Sequence, residues 1–279
     1  MRLRRYLQLG TSLGANGWLK GYWAKAVYQG AGKGFCIPAL NCYACPSAFF
    51  SCPLGSLQHF MVVRSIPYYV MGYLGAVGAF IGRMPCGTIC PFGFFQDLLY
   101  KLRSFKIRIP RYLRPFRYIV LVVLVFVLPW VTGQNWFSKL CPAGTLAGGL
   151  PWVTISGDIR NMIQDLFWIK LAMLIFFTTS SIIAKRPFCQ TTCPLGAIFG
   201  LFNRLSFVRL HWDAKTCTHC DKCFEVCPME IKVYEGENTG QCIRCLDCTA
   251  CEAITVTTVL SRPEGEQPAA FPEPAREVA

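Results

Sequence analysis

The 279-residue chain is 53% hydrophobic and only 15% charged, well below the roughly 25% charge of soluble domains, which excludes an ordinary soluble globular protein. Seventeen cysteines in a chain of this length are too dilute for a small disulfide scaffold, and a chain this long does not need such staples. The net charge of +13 does not mark a nucleic-acid binder, because the cations sit beside apolar runs, as they do in membrane proteins.

In chain order, the N-terminus MRLRRYLQLG is followed by no small-residue cleavage site, so no secretory signal is expected. A bilayer core of about 30 Å takes roughly 20 apolar residues per helix. The first span is expected over 6–29, glycine-rich and interrupted by Lys20 and Lys25. An outer cysteine loop, CIPALNCYACPSAFFSC, covers 36–52. Spans follow at 60–82, with Arg64 near its start, at 116–133, which contains YIVLVVLVFVLPW, and at 166–184, with Lys170 near its start. The loop KLRSFKIRIPRYLRPFR carries seven cations and is therefore expected on the cytoplasmic side. Up to Arg209, four spans with both ends inside put fifteen Lys and Arg on the inner side and seven on the outer. Trp130, Trp136, Trp152 and Trp168 then fall near the outer interface.

The expected fold class is a mainly α membrane protein: residues 1–209 form four transmembrane helices in two pseudo-repeats, and residues 210–258 a cytoplasmic ferredoxin-like domain with two [4Fe–4S] clusters. Residues 259–279, rich in Pro, Glu and Ala, are expected to be a disordered tail.

Cys217-x2-Cys220-x2-Cys223-x3-Cys227-Pro228 matches the bacterial ferredoxin run, whose fourth cysteine serves the other cluster. A second run supplies Cys242, Cys245, Cys248 and Cys251. The expected sets are Cys217, Cys220, Cys223 and Cys251 for one cluster, and Cys242, Cys245, Cys248 and Cys227 for the other. Structural zinc prefers paired CxxC units and fits less well. The second run ends CTACEA, a shorter spacing with no proline after its last cysteine.

Cys-Pro-x-Gly occurs four times, at Cys52, Cys90, Cys141 and Cys193, as an internal repeat: an outer CPxG, an apolar span, then an inner CxxxCPxG. Proline suits the first turn of a helix, which makes each cysteine an N-cap and aims free N–H groups at an anion. Cys86, Cys90, Cys189 and Cys193 fall at the inner ends of their spans and number enough for one [4Fe–4S]. Buried structural cysteines or a redox disulfide are the bland alternative. On the outer side the preferred set is Cys42, Cys45, Cys52 and Cys141, with Cys36 spare. A rival set uses Cys36 in place of Cys141, and outer-face disulfides are the alternative chemistry. If inner and outer sets sit at opposite interfaces, about 30 Å of hydrocarbon separates them.

At CGTICPFGFFQDLL, CQTTCPLGA and the double ferredoxin run, the chain resembles the NapH-type membrane polyferredoxins, a group related to MauN and to the membrane half of NosR. The resemblance implies four spans, cytoplasmic ferredoxin clusters and passage of electrons between a quinol pool and redox partners. LNCYACPSAFFSCPLGSLQ and LCPAGTLAGGLP resemble a branch with extra outer cysteines, which suggests a wire reaching the outer face.

The function expected is thus a membrane-integral iron–sulfur electron-transfer subunit in the inner membrane, with four [4Fe–4S] clusters, quinone as a further candidate ligand, and other redox subunits and the bilayer as partners. Quinol dehydrogenase activity in this chain, and a redox-sensing or maturation role, are the competing readings. Hydrolase chemistry has no support, because none of the three histidines forms a dyad motif, and no nucleotide-binding glycine motif stands out.

Overall fold

The computed structural model describes residues 2–161 and 163–261; the tail expected over 259–279 lies outside the described residues from 262 on. Helix α1, Arg2–Ala15, stops at Asn16-Gly17, a pair that favours turns over helix. Only a short helical turn, Lys20–Ala24, follows, so the first expected span is not one helix. The second divides as well. Helix α2, Pro53–Val62, and helix α3, Tyr68–Ile81, are separated at Pro67, which has no N–H to continue a helix. With 14 residues, α3 is about 21 Å long, short of the roughly 30 Å core.

Short helices α4, Met84–Thr88, and α5, Pro91–Leu99, carry the first inner motif. Helix α6, Arg111–Thr132, widens to a π winding over Leu121–Val127, just ahead of Pro129. Helix α7, Trp136–Leu140, leads to α8, residues 142–155, which widens in the same way over Thr145–Gly149 ahead of Pro151. Proline removes an N–H and crowds the preceding turn, and a π turn accommodates both. Helix α9 is Asp165–Ile183, followed by α10, Pro187–Thr191, and α11, Pro194–Phe202. Strand β1, Val208–Trp212, pairs antiparallel with β2, Ile254–Thr258, Leu210 lying opposite Val256.

Among the described residues, α6 and α9 are the helices long and apolar enough to cross a membrane. Only 28% and 17% of their apolar windows are buried. A core helix hides such a surface, whereas a lipid-facing helix exposes it. Exposed Ile119, Val122, Trp130, Trp168, Ile169 and Phe176 lie along them. These two helices match the third and fourth expected spans, and they suggest a membrane protein.

The two halves pack reciprocally. Helix α1 lies on α4 and α5 as α6 lies on α10 and α11; α5 rests on α9 as α11 rests on α3. The core between them holds Leu54, Val70, Val125, Phe188 and Phe199 with five of the CPxG and inner cysteines. Phe188 sits edge-on to Phe92 and Phe177 at 5.2 and 5.0 Å. A separate small core, Leu210, Val233 and Ile254, joins the cysteine-rich C-terminal unit.

Candidate iron–sulfur centres

All four CPxG cysteines are helix N-caps in extended backbone with proline in the first turn. The motif's glycine supplies the amide that its cysteine needs. The Gly196 N–H donates to Cys193 Sγ at 3.4 Å, and the amides of Gly55, Gly93 and Gly144 point at Cys52, Cys90 and Cys141. Free helix-start N–H groups stabilise thiolate charge.

Cys86, Cys90, Cys189 and Cys193 are all buried and face one another across the two halves. Burial, and then the neighbouring thiols, push Cys193 well above the usual thiol range. Gln96 Nε2 donates to Cys189 Sγ at 3.1 Å. Around this set lie guanidinium groups that are themselves fully buried. Arg83 donates to the carbonyls of Cys189, Gly240 and Gln241 at 2.6, 3.1 and 3.2 Å. Arg186 donates to the Cys86 carbonyl at 2.8 Å and grips Asp97 through two nitrogens at 2.6 and 2.5 Å. Burial opposes the charge on Asp97, but the Arg186 fork outweighs it and holds the carboxyl below its usual value. Arg4 links Asp97 to Asp247 at 3.2 and 3.1 Å.

The C-terminal cysteines form two groups. Cys227, Cys242, Cys245 and Cys248 line one cavity, and Cys217, Cys220, Cys223 and Cys251 line another. These are the two sets expected from the ferredoxin spacing, Cys251 included. Burial pushes Cys242 up to about 11 and Cys248 up to about 12, whereas the amide of Lys222 lowers the exposed Cys220. His219 packs beside Trp212 and Tyr234.

The first of these groups is pinned to the helical unit. Asn203 at the end of α11 donates to the carbonyls of Thr239 and Cys242 at 2.8 and 2.6 Å and accepts from the Arg83 amide at 2.8 Å. Arg244, between two cysteines, reaches the carbonyls of Ile81 and Asn203. A Cβ on Gly200 would stand 2.6 Å from the Gly240 carbonyl, so the two backbones meet there because neither residue has a side chain.

On the other side, Cys42, Cys52 and Cys141 line a cavity of about 410 Å³. The expected Cys45 is buried beside it, its thiol 3.1 Å from Ser47 Oγ. Cys36 stands apart, against Ser56 Oγ at 3.8 Å. Trp152, expected in an interfacial belt, lines this cavity and donates to the Ala44 carbonyl at 2.7 Å. The outer loop also folds inward: Ala39, Leu40 and Asn41 are buried. The Leu40 amide points at the Cys90 thiol and the next amide, of Asn41, at the Cys52 thiol. Leu40, Cys52, Cys90 and Cys141 thus lie in one buried core, which brings cysteines expected on the inner and outer sides together.

These residues fit iron–sulfur groups. Among the described residues, Arg83, Arg117 and Arg244 have no carboxylate partner, and the Nε of each has no hydrogen-bond acceptor. A buried cation needs an anion, and clusters held by four thiolates are anionic. Among the described residues no three Cys, His, Asp or Glu side chains converge on a single ion; a cube takes one thiolate per iron, so its ligands spread. The arginine roles were invisible to a charge count, which takes Arg83, Arg117 and Arg186 simply as three of the fifteen cations expected on the inner side. The available signal was RxxCxxxCPxG, with an arginine three residues ahead of the cysteine in both halves.

A family model described as a 4Fe-4S binding domain matches residues 70–110 and 164–213, each stretch holding one inner motif. An uncharacterised protein of Methanocaldococcus jannaschii is 30% identical over 72% of this chain and 83% of its own length. The putative electron transport protein YccM of Escherichia coli is 27% identical over 66% of this chain and 53% of its own length. The methylamine utilization ferredoxin-type protein MauN of Methylorubrum extorquens is 30% identical over 52% of this chain and 47% of its own length. No solved structure matches the chain significantly. The chain carries a 4Fe–4S binding domain and belongs to the NapH/MauN/NosR-like family of ferredoxin-type iron–sulfur proteins.

Proposed function

We propose that this chain is a membrane-integral electron-transfer subunit with four [4Fe–4S] clusters, relaying electrons between its cytoplasmic ferredoxin-like unit and a quinone or partner redox subunit on the outer side. When bound, the clusters supply one-electron transfer. Two ligand sets are those of the C-terminal cavities, and a third is Cys86, Cys90, Cys189 and Cys193. A fourth draws on Cys42, Cys52 and Cys141, with Cys45 alongside.

The observation that carries this reading is the single buried core that holds Cys52 and Cys141 together with Cys86, Cys90 and Cys193, with Leu40 of the outer loop packed among them. It supports a short step between inner and outer sets, which a surface-to-surface arrangement would not permit. Arg83 and Asn203 do the equivalent on the other side by tying the Gly240–Cys242 backbone to the inner set. Helix α1 supports one topology. Arg4 contacts Asp97 and Asp247 beside the inner motif, and Ala15 accepts from the Phe49 amide of the outer loop. In this reading α1 and the α2–α3 pair complete the first half of a two-half bundle whose second half is α6 and α9, with both ends cytoplasmic.

The test is iron and acid-labile sulfide per chain in anaerobically purified protein. Four cubes give about 16 iron in wild type and about 12 in Cys141→Ser. About 12 in both would remove the outer cluster and the relay with it.

A further inference from the structure

The outer cavity does not have the proportions of the other cysteine sites. The two C-terminal cavities, each lined by four cysteines, enclose about 20 and 10 Å³. The outer one encloses about 410 Å³ and is lined by three. That is the size of a small-molecule pocket, which begins at about 300 Å³, and its wall has the usual make-up of apolar and aromatic groups with a few polar ones. Tyr43, Leu54, Phe137 and Trp152 supply the apolar wall.

Two polar groups of this wall point to an anion. Asn41 is 4% exposed, and its Nδ2 donor has no hydrogen-bond partner. A buried amide N–H without an acceptor is costly. Lys170, in the first turns of α9, lines the same cavity, and its charge acts on the Cys42 and Cys141 thiols. Cys45, which would complete a four-thiolate set, does not line the cavity and has Ser47 as its partner.

We propose that Cys42, Cys52 and Cys141 alone hold the outer cluster, and that its fourth corner is left to a small carboxylate ligand bound in the cavity. The carboxylate takes the free N–H of Asn41 and the charge of Lys170. This rests on the outer-cluster reading above and adds a ligand-binding function to a site otherwise used for electron exchange.

Anaerobic full-length protein is compared with Cys45→Ser and Cys42→Ser for iron content and for its response to ferricyanide. A cube with three thiolates holds its fourth iron weakly. One-electron oxidation of [4Fe–4S]2+ by ferricyanide releases that iron as Fe2+ and leaves paramagnetic [3Fe–4S]1+. The expected result is wild-type iron and a full [3Fe–4S] signal in Cys45→Ser, and loss of about four irons and of that signal in Cys42→Ser. Acetate labelled with 13C at the carboxylate should couple to the reduced outer cluster in wild type, and the coupling should vanish in Lys170→Gln. Loss of about four irons in Cys45→Ser overturns the three-cysteine assignment while leaving the outer cluster standing. Unchanged iron in Cys42→Ser overturns the outer cluster itself. No acetate coupling in wild type overturns the carboxylate site.

Discussion

Arg83 donates to the carbonyl of Cys189 at 2.6 Å, across the two halves of the chain, and Arg186 returns the contact to the carbonyl of Cys86 at 2.8 Å. Each guanidinium also lies against the CPxG glycine of the opposite half: a Cβ on Gly196 would come within 2.4 Å of Arg83, and one on Gly93 within 3.3 Å of Arg186. The halves differ in one respect. Arg186 is neutralised by Asp97, whereas among the described residues Arg83 has no carboxylate partner and its guanidinium donates to the carbonyls of Cys189, Gly240 and Gln241.

An uncompensated cation beside an anionic centre favours the reduced form. Arg83→Gln is predicted to lower the midpoint potential of one cluster by about 50–100 mV, from a charge interaction of one to a few kcal/mol. Arg83→Lys should recover most of this. A redox titration followed by electron paramagnetic resonance checks it, and an unchanged potential at full iron content would refute it.

Asp97→Asn is predicted to destabilise the protein by about 3 kcal/mol, because it leaves the Arg186 charge buried without its partner. The pH dependence follows from the depressed carboxyl of Asp97. Its contribution is present above the ordinary carboxyl range and is lost as pH falls through the lower folded value. Thermal unfolding in detergent should therefore separate wild type from Asp97→Asn at pH 7, and the gap should narrow on strong acidification.

Gly200→Ala is predicted to lift the Gly240 backbone from α11, an overpacking cost of about 1–3 kcal/mol. Limited proteolysis should then release the segment after residue 205 faster than in wild type. Equal rates would mean that the docking tolerates a methyl group.

Cysteine spacing made the grouping of the C-terminal cysteines around two cavities legible, since cysteines at fixed short intervals on one loop stay close together. The inner set was legible because its motif is written twice. Helix boundaries were less so: the apolar run over 60–82 hid the break at Pro67, and the run over 6–29 ended at Asn16-Gly17. The inward fold of Leu40 and Asn41 left no mark in the sequence, because it depends on amides, which every residue carries. The arginine roles were hidden for a related reason, since a cation at an inner membrane edge reads as a topology signal whether it faces water or a cluster.

The relay itself is tested most directly in sealed liposomes holding the purified chain, with dithionite outside and ferricyanide trapped inside. Neither reagent crosses the bilayer. The account predicts that trapped ferricyanide is bleached by wild type and that Cys86→Ser and Cys141→Ser each slow the bleaching at least tenfold. Bleaching by Cys141→Ser at the wild-type rate would contradict it and confine the chain's electron transfer to the cytoplasmic side.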